Sequence, residues 1–236
     1  MQTRRDAHAQ AIPSLLSLGA THTLLVVAAV VALVFLRHDA ALSDMSALNP
    51  FGPPEIARRF FSTDPEASRV AGFFCFASAM PLAIYGATIV ARLQFLGARH
   101  DGAYMAFAGG IAASGGLAAA GLFLWMLSVP EAATSIPITH ALHLLVFLCG
   151  GPAFAVGLGL LAAGVSVSGH FARLLPTWVV WLGFLIATTG VLSMFGLLSL
   201  PMTVAIPITR VGGFGWLLAV GTTIRKQPAG IRTDVR

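Results

Sequence analysis

Four side chains stand out as able to do chemistry in an otherwise apolar chain: His22, His140, His143 and Arg210. His140 and His143 are three residues apart, so on a helix they fall on roughly one face. They belong to the stretch Ile136-Pro137-Ile138-Thr139-His140-Ala141-Leu142-His143. A second copy, Ile206-Pro207-Ile208-Thr209-Arg210-Val211, puts Arg210 where the first has His140. The match continues upstream, where Leu127-Ser128-Val129-Pro130 is echoed by Leu198-Ser199-Leu200-Pro201. Each copy reads as the end of one apolar helix, a short turn, and a proline-started helix running back. His140, His143 and Arg210 together predict a basic pocket suited to an anionic headgroup, a carboxylate or a quinone carbonyl, because a guanidinium offers a planar fork of donors. The competing arrangement has Arg210 snorkelling outward and His140 solvated.

His22 is different, because it lies well inside the first apolar run between Thr21 and Thr23. An ionisable residue at that depth is a functional candidate by default. A neutral imidazole is nevertheless cheap enough to bury if one hydrogen bond from a neighbouring helix satisfies it. The sharper alternative makes His22 and His143 the axial ligands of a b-type haem. No second histidine pair would carry electrons across, and Arg210 is the one outer cation available to a propionate. A further alternative is an enzyme acting on a lipid, with His143 or His22 as acid/base. Such a group needs an orienting partner, yet none of the nine Asp and Glu falls within an expected span. Glu131 is the one acid placed to reach the histidines. The missing carboxylates also oppose an acidic proton relay and a di-metal carboxylate site. No HExxH occurs, and His140-x-x-His143 lacks a third ligand, so no metal site and no catalytic residue are assigned. The reading leans against an enzyme.

The elements that would position these groups follow from composition. The 236 residues are 57% apolar and 10% charged, with a mean hydropathy of +0.85. A soluble domain carries about 25% charged residues. The net charge of +5 sits at termini and in short loops. That distribution signals topology and attraction to anionic lipid, and leaves no water-facing basic surface for nucleic acid. Cys75 and Cys149 fall within apolar runs and read as buried free thiols.

Between the charge clusters lie apolar runs long enough to cross a ~30 Å hydrocarbon layer. They predict an all-α polytopic bundle of six transmembrane helices, at about 12–36, 70–95, 103–127, 137–165, 176–200 and 207–224. Residues 1–11 and 227–236 are the polar ends, and 37–69 form one long loop. The first run is too long for the ~7–15-residue core of a signal peptide. Within the loop, Glu55-Ile56-Ala57-Arg58-Arg59-Phe60-Phe61 is amphipathic, with Ile56, Phe60 and Phe61 towards the apolar side. It would lie in the interface, as a lid over the bundle or as a plain connection. Gly150-Gly151-Pro152 is expected to interrupt the fourth span, and Pro81 to kink the second. Ala108, Ala112, Gly116 and Ala120 recur every four positions on the third helix and predict a close-packing ridge. Trp178 and Trp181 form an aromatic belt at the start of the fifth.

The two outer turns, at 130–136 and 201–206, contain no Lys or Arg, whereas the inner segments hold Arg4, Arg5, Arg92, Arg99, Arg173, Arg225, Lys226, Arg232 and Arg236. The positive-inside rule then places both termini in the cytoplasm. Helices three-four and five-six become two parallel hairpin repeats, related by an axis along the membrane normal.

The second half also resembles a group of uncharacterised bacterial multi-pass membrane proteins. The likeness is carried by Leu175-Pro176-x-Trp178-x-x-Trp181-Leu182-Gly183, by Ile208-Thr209-Arg210-x-Gly212-Gly213-x-Gly215-Trp216-Leu217, and by the His140-to-Pro152 segment with its Gly-Gly-Pro. It covers residues 138–226. It implies a six-helix inner-membrane protein and supplies no activity, cofactor or site residue. The functional expectation is a bacterial inner-membrane protein that binds a lipid or quinone at His140, His143 and Arg210. The alternatives are an accessory subunit acting through helix–helix contacts with a partner or a second copy, the haem protein, and the lipid enzyme.

Overall fold

The computed structural model describes residues 14–36, 48–97 and 101–224. The expectations for the N-terminal segment, the first part of the long loop, Arg99 and the C-terminal tail lie outside the described residues. Within them the chain is helical, and no strand occurs among them. Six helices are long and apolar enough to cross a membrane: Leu15–Phe35, Pro65–Phe95, Asp101–Met126, Ile136–Phe171, Thr177–Leu197 and Leu200–Thr223. The chain is a multi-pass helical membrane protein.

In chain order, α1 is Leu15–Phe35, α2 the short Pro54–Thr63, α3 Pro65–Phe95 and α4 Asp101–Met126. A single turn, α5 (Pro130–Thr134), precedes α6 (Ile136–Leu148), which a π-helical segment at Cys149–Ala153 joins to α7 (Phe154–Phe171). Then come α8 (Thr177–Ser193), two 3-10 turns at Met194–Leu197 and Leu200–Val204, and α9 (Ala205–Thr223). Neighbours in sequence are neighbours in space, and α9 returns to pack on α1, so the spans form a ring.

Several boundaries differ from the expectation. The second span starts at Pro65 rather than near residue 70, because a proline fits the first helical turn, where no intrahelical N–H is required. The fourth runs to Phe171 rather than 165. Its extra turns carry Ser166 and Ser168, which are polar by type yet fully buried. Gly150-Gly151-Pro152 widens the fourth helix into a π turn instead of interrupting it. Proline removes one backbone donor, and a π turn is how a helix absorbs such a fault without breaking. Ile56 is exposed, so the buried face of α2 is Ala57, Phe60 and Phe61.

Glycine decides how closely the helices approach. In a bilayer, helix association rests on packing rather than on the exclusion of water, which favours small residues at contacts. A Cβ on Gly109 would stand 2.3 Å from Leu161 N and 2.7 Å from the Gly157 carbonyl, and one on Gly157 would stand 2.4 Å from Ala113 N. Gly102 meets Gly164 and Ser168 in the same way. The α4–α7 seam therefore runs through Gly102, Ala106, Gly109 and Ala113, at alternating four- and three-residue steps. The expected ridge divides. Gly116 and Ala120 face the π segment, with a Gly116 Cβ placed 2.8 Å from the Cys149 carbonyl, but Ala108 and Ala112 are exposed. The reason is geometric. A step of four residues overshoots a full turn by about 40°, so three steps carry the row about 120° around the helix. Trp178 and Trp181 are both exposed on the surface of α8.

Candidate intramembrane ligand site

A short turn precedes the helix that carries each Ile-Pro-Ile-Thr stretch. It is Pro130–Thr134 in α form before the first and Leu200–Val204 in 3-10 form before the second. In each, the threonine is buried with its hydroxyl satisfied. Thr139 Oγ1 donates to the Ala132 carbonyl at 2.8 Å, while Thr209 Oγ1 lies 2.9 Å from both the Ala205 carbonyl and Thr189 Oγ1.

Beyond the threonines the two corners diverge. Arg210 does not snorkel outward. Its Nη2 donates to the Gly150 carbonyl in the π segment, and its guanidinium carbon lies 5.2 Å over the Phe154 ring. Its Nε is buried without a hydrogen-bond partner. His143, on α6, is 5% exposed and stacks edge-on against Phe61 of α2, with ring centroids 5.3 Å apart. Its Nδ1 is buried without a hydrogen-bond partner. Between these two groups lies a cavity of about 250 Å³. Its walls are largely apolar and come from α1 (Val26, Ala29, Val30, Leu33), α3 (Cys75), α4, α6, the π segment and α9. Leu48 and Phe61 close the end nearest α2. Helix α6 has no extensive contact with α1 or α9, although all three border the cavity. Val30 lines it and is also exposed, so the wall thins to the molecular surface on the α1 side.

Of the four residues singled out from sequence, the structure brings His143 and Arg210 to this cavity. His140 is half-buried and does not line it. The two histidines diverge because three residues span about 300° of helix, leaving the rings about 60° apart, enough to take one inward and leave the other off the cavity. His22 does not line the cavity either. It is fully buried one layer away, where Nδ1 lies 2.8 Å from the Ser78 carbonyl of α3, so the proton on that bond belongs to Nδ1. Its ring packs against Phe154 and Phe214, and Nε2 has no partner. Phe154 thus has Arg210 over its face and His22 at its side. The two histidines expected as an axial pair are thus separated, His143 lining this cavity and His22 not. Among the described residues no three His, Cys, Asp or Glu gather to hold a metal.

Two contributors escaped the sequence reading. Cys75 lines the cavity, and nothing in its type announced it, whereas Phe61, expected on the apolar side of its segment, lines it too. Tyr85 is fully buried and donates to the Leu217 carbonyl at 3.0 Å, joining α3 to α9. A hydroxyl in mid-span, which must find an acceptor, was a readable signal for that bond. No protein-family model, curated protein or solved structure matches this chain.

Proposed function

We propose that this is a protein of the bacterial inner membrane that binds one lipophilic or amphipathic molecule, a lipid or a quinone, in the cavity between α1, α4, α6 and α9. One observation carries the reading: a guanidinium turned inward to the edge of a cavity whose other walls are almost entirely apolar. Few convergent polar groups set in an apolar concavity are the usual make-up of a ligand site. Helix α2 serves as the cover, since Phe60 and Phe61 are buried beneath it and Phe61 reaches His143. We place this covered end outside and both termini in the cytoplasm, because Arg92 and Arg173 lie at the opposite end while the two corner turns lack Lys and Arg. The site then draws on the outer leaflet.

The test is what the protein retains. Purified gently and examined by mass spectrometry, the wild type is expected to carry about one amphiphile per chain. Ala29→Phe, which fills the cavity from α1, should carry none while eluting as the same folded species. Equal retention by both would refute the cavity as the binding site.

A second reading, an accessory subunit, is favoured by the outer face of α4. Ala108, Ala112 and Gly115 are exposed there, and a Cβ on Gly115 would meet nothing within 4 Å. A partner helix could approach that surface closely. Loss of function on Gly115→Leu in a protein that still folds would support it.

A further inference from the structure

We propose that the headgroup held in this cavity is a single anion, a carboxylate or a phosphate monoester on one hydrocarbon chain, with Arg210 as its partner. This rests on the cavity being a ligand site.

Arg210 is charged at any pH a cell meets, and among the described residues none that lines the cavity is acidic. The Gly150 carbonyl and the Phe154 face supply partial negative charge and hold the guanidinium plane in place. They do not cancel a full unit of charge. The buried Nε still lacks an acceptor, and His143, which also lines the cavity, has a buried Nδ1 without a partner. A buried charge is stabilised by an opposite charge with hydrogen bonds of good geometry. A neutral quinone carbonyl would accept a hydrogen bond but leave the charge uncompensated, so the guanidinium favours an anion.

The number of chains follows from the space. At about 250 Å³ the cavity falls below the ~300–1,000 Å³ typical of ligand pockets. It suits the first part of one hydrocarbon chain, laid along Val26, Ala29, Val30 and Leu33, which span about 10 Å of α1, with the rest leaving past the exposed Val30. A two-chain phospholipid would have to leave one chain outside.

The experiment titrates delipidated protein in a neutral detergent with four probes: palmitate, its methyl ester, a lysophosphatidic acid of the same chain length, and a decyl-substituted quinone. Palmitate or the lysophosphatidic acid should bind at least tenfold more tightly than the ester and the quinone. The tighter of the two identifies carboxylate or phosphate as the source. Arg210→Gln should lower the affinity for the anion to that of the ester, and Arg210→Lys, which keeps the charge and loses the fork, should fall between. Should Arg210→Gln fail to fold, the lysine variant and the four wild-type affinities decide. If the ester or the quinone binds as tightly as the anions, and Ala29→Phe abolishes that binding, the headgroup assignment is wrong and the cavity reading stands. If all four probes bind Ala29→Phe as they bind the wild type, both fail.

Discussion

Gly109→Leu is expected to be among the most damaging substitutions at the described glycines, preventing folding or lowering the melting temperature by about 6 °C or more. The atoms that its Cβ would meet, Leu161 N at 2.3 Å and the Gly157 carbonyl at 2.7 Å, are backbone. A crowded side chain can change rotamer, at a cost of about 1–3 kcal/mol. Here the only relief is to move α4 and α7 apart by ~1 Å or more towards ordinary contact at about 3.5–4 Å. Separation on that scale forfeits dispersion along the whole seam, which in a membrane is the main cohesive term. At roughly 2–4 °C per kcal/mol for a chain of this size, a loss of 3 kcal/mol or more is readily seen in a detergent melting curve. Gly115→Leu on the same helix is the control, because its Cβ would point into open space. It should melt like the wild type. Equal destabilisation by the two would mean that α4 presents a different face to α7.

The second large effect is expected at Phe61, whose replacement by alanine should release α2 from the bundle. The ring is 1% exposed and lies edge-on to both Phe60 and His143, with centroids 5.1 and 5.3 Å away. Removing a buried phenyl ring typically costs about 3–5 kcal/mol. Because α2 rests on one end of the bundle, most of that loss should appear as local opening rather than global unfolding. Amide hydrogen exchange within Pro54–Thr63 is expected to accelerate about 100-fold or more, with the α4 and α7 amides unchanged. With the cover loosened, a bound amphiphile should dissociate at least ten times faster. Unaltered exchange and dissociation would show that α2 is a plain connection.

Much of the architecture was legible because a bilayer imposes a simple rule. A run of some 20 residues with few charges is long enough to span it, and the six runs between arginine clusters became the six spans. The errors lay where the rule is silent. Polar type did not stop the fourth helix at 165, since Ser166 and Ser168 are small enough to be buried at contacts. The Ala108 row was read as one ridge, but its angular drift of about 40° per step turns Gly116 and Ala120 inward and leaves Ala108 and Ala112 exposed. The polar groups that border the cavity, His143 and Arg210, stood out by residue type but not by direction. Arg210 has enough flexible stem to reach water or to turn inward, and the choice depends on a carbonyl 60 residues away that became available at the π turn. His22 and His143 are similar in sequence terms, each a lone imidazole in an apolar helix. Only the packing around Phe154 and Phe61 separates them into two environments.

The most direct measurement of the central claim is photo-crosslinking with palmitate carrying a diazirine in mid-chain, followed by peptide mapping of the adducts. The account predicts a saturable modification on inward residues such as Val26, Ala29, Leu117 and Leu124, lost in Ala29→Phe. Adducts confined to the outward-facing Leu24, Val27, Leu122 and Trp125, rising linearly with probe concentration, would place the probe in bulk lipid and contradict it.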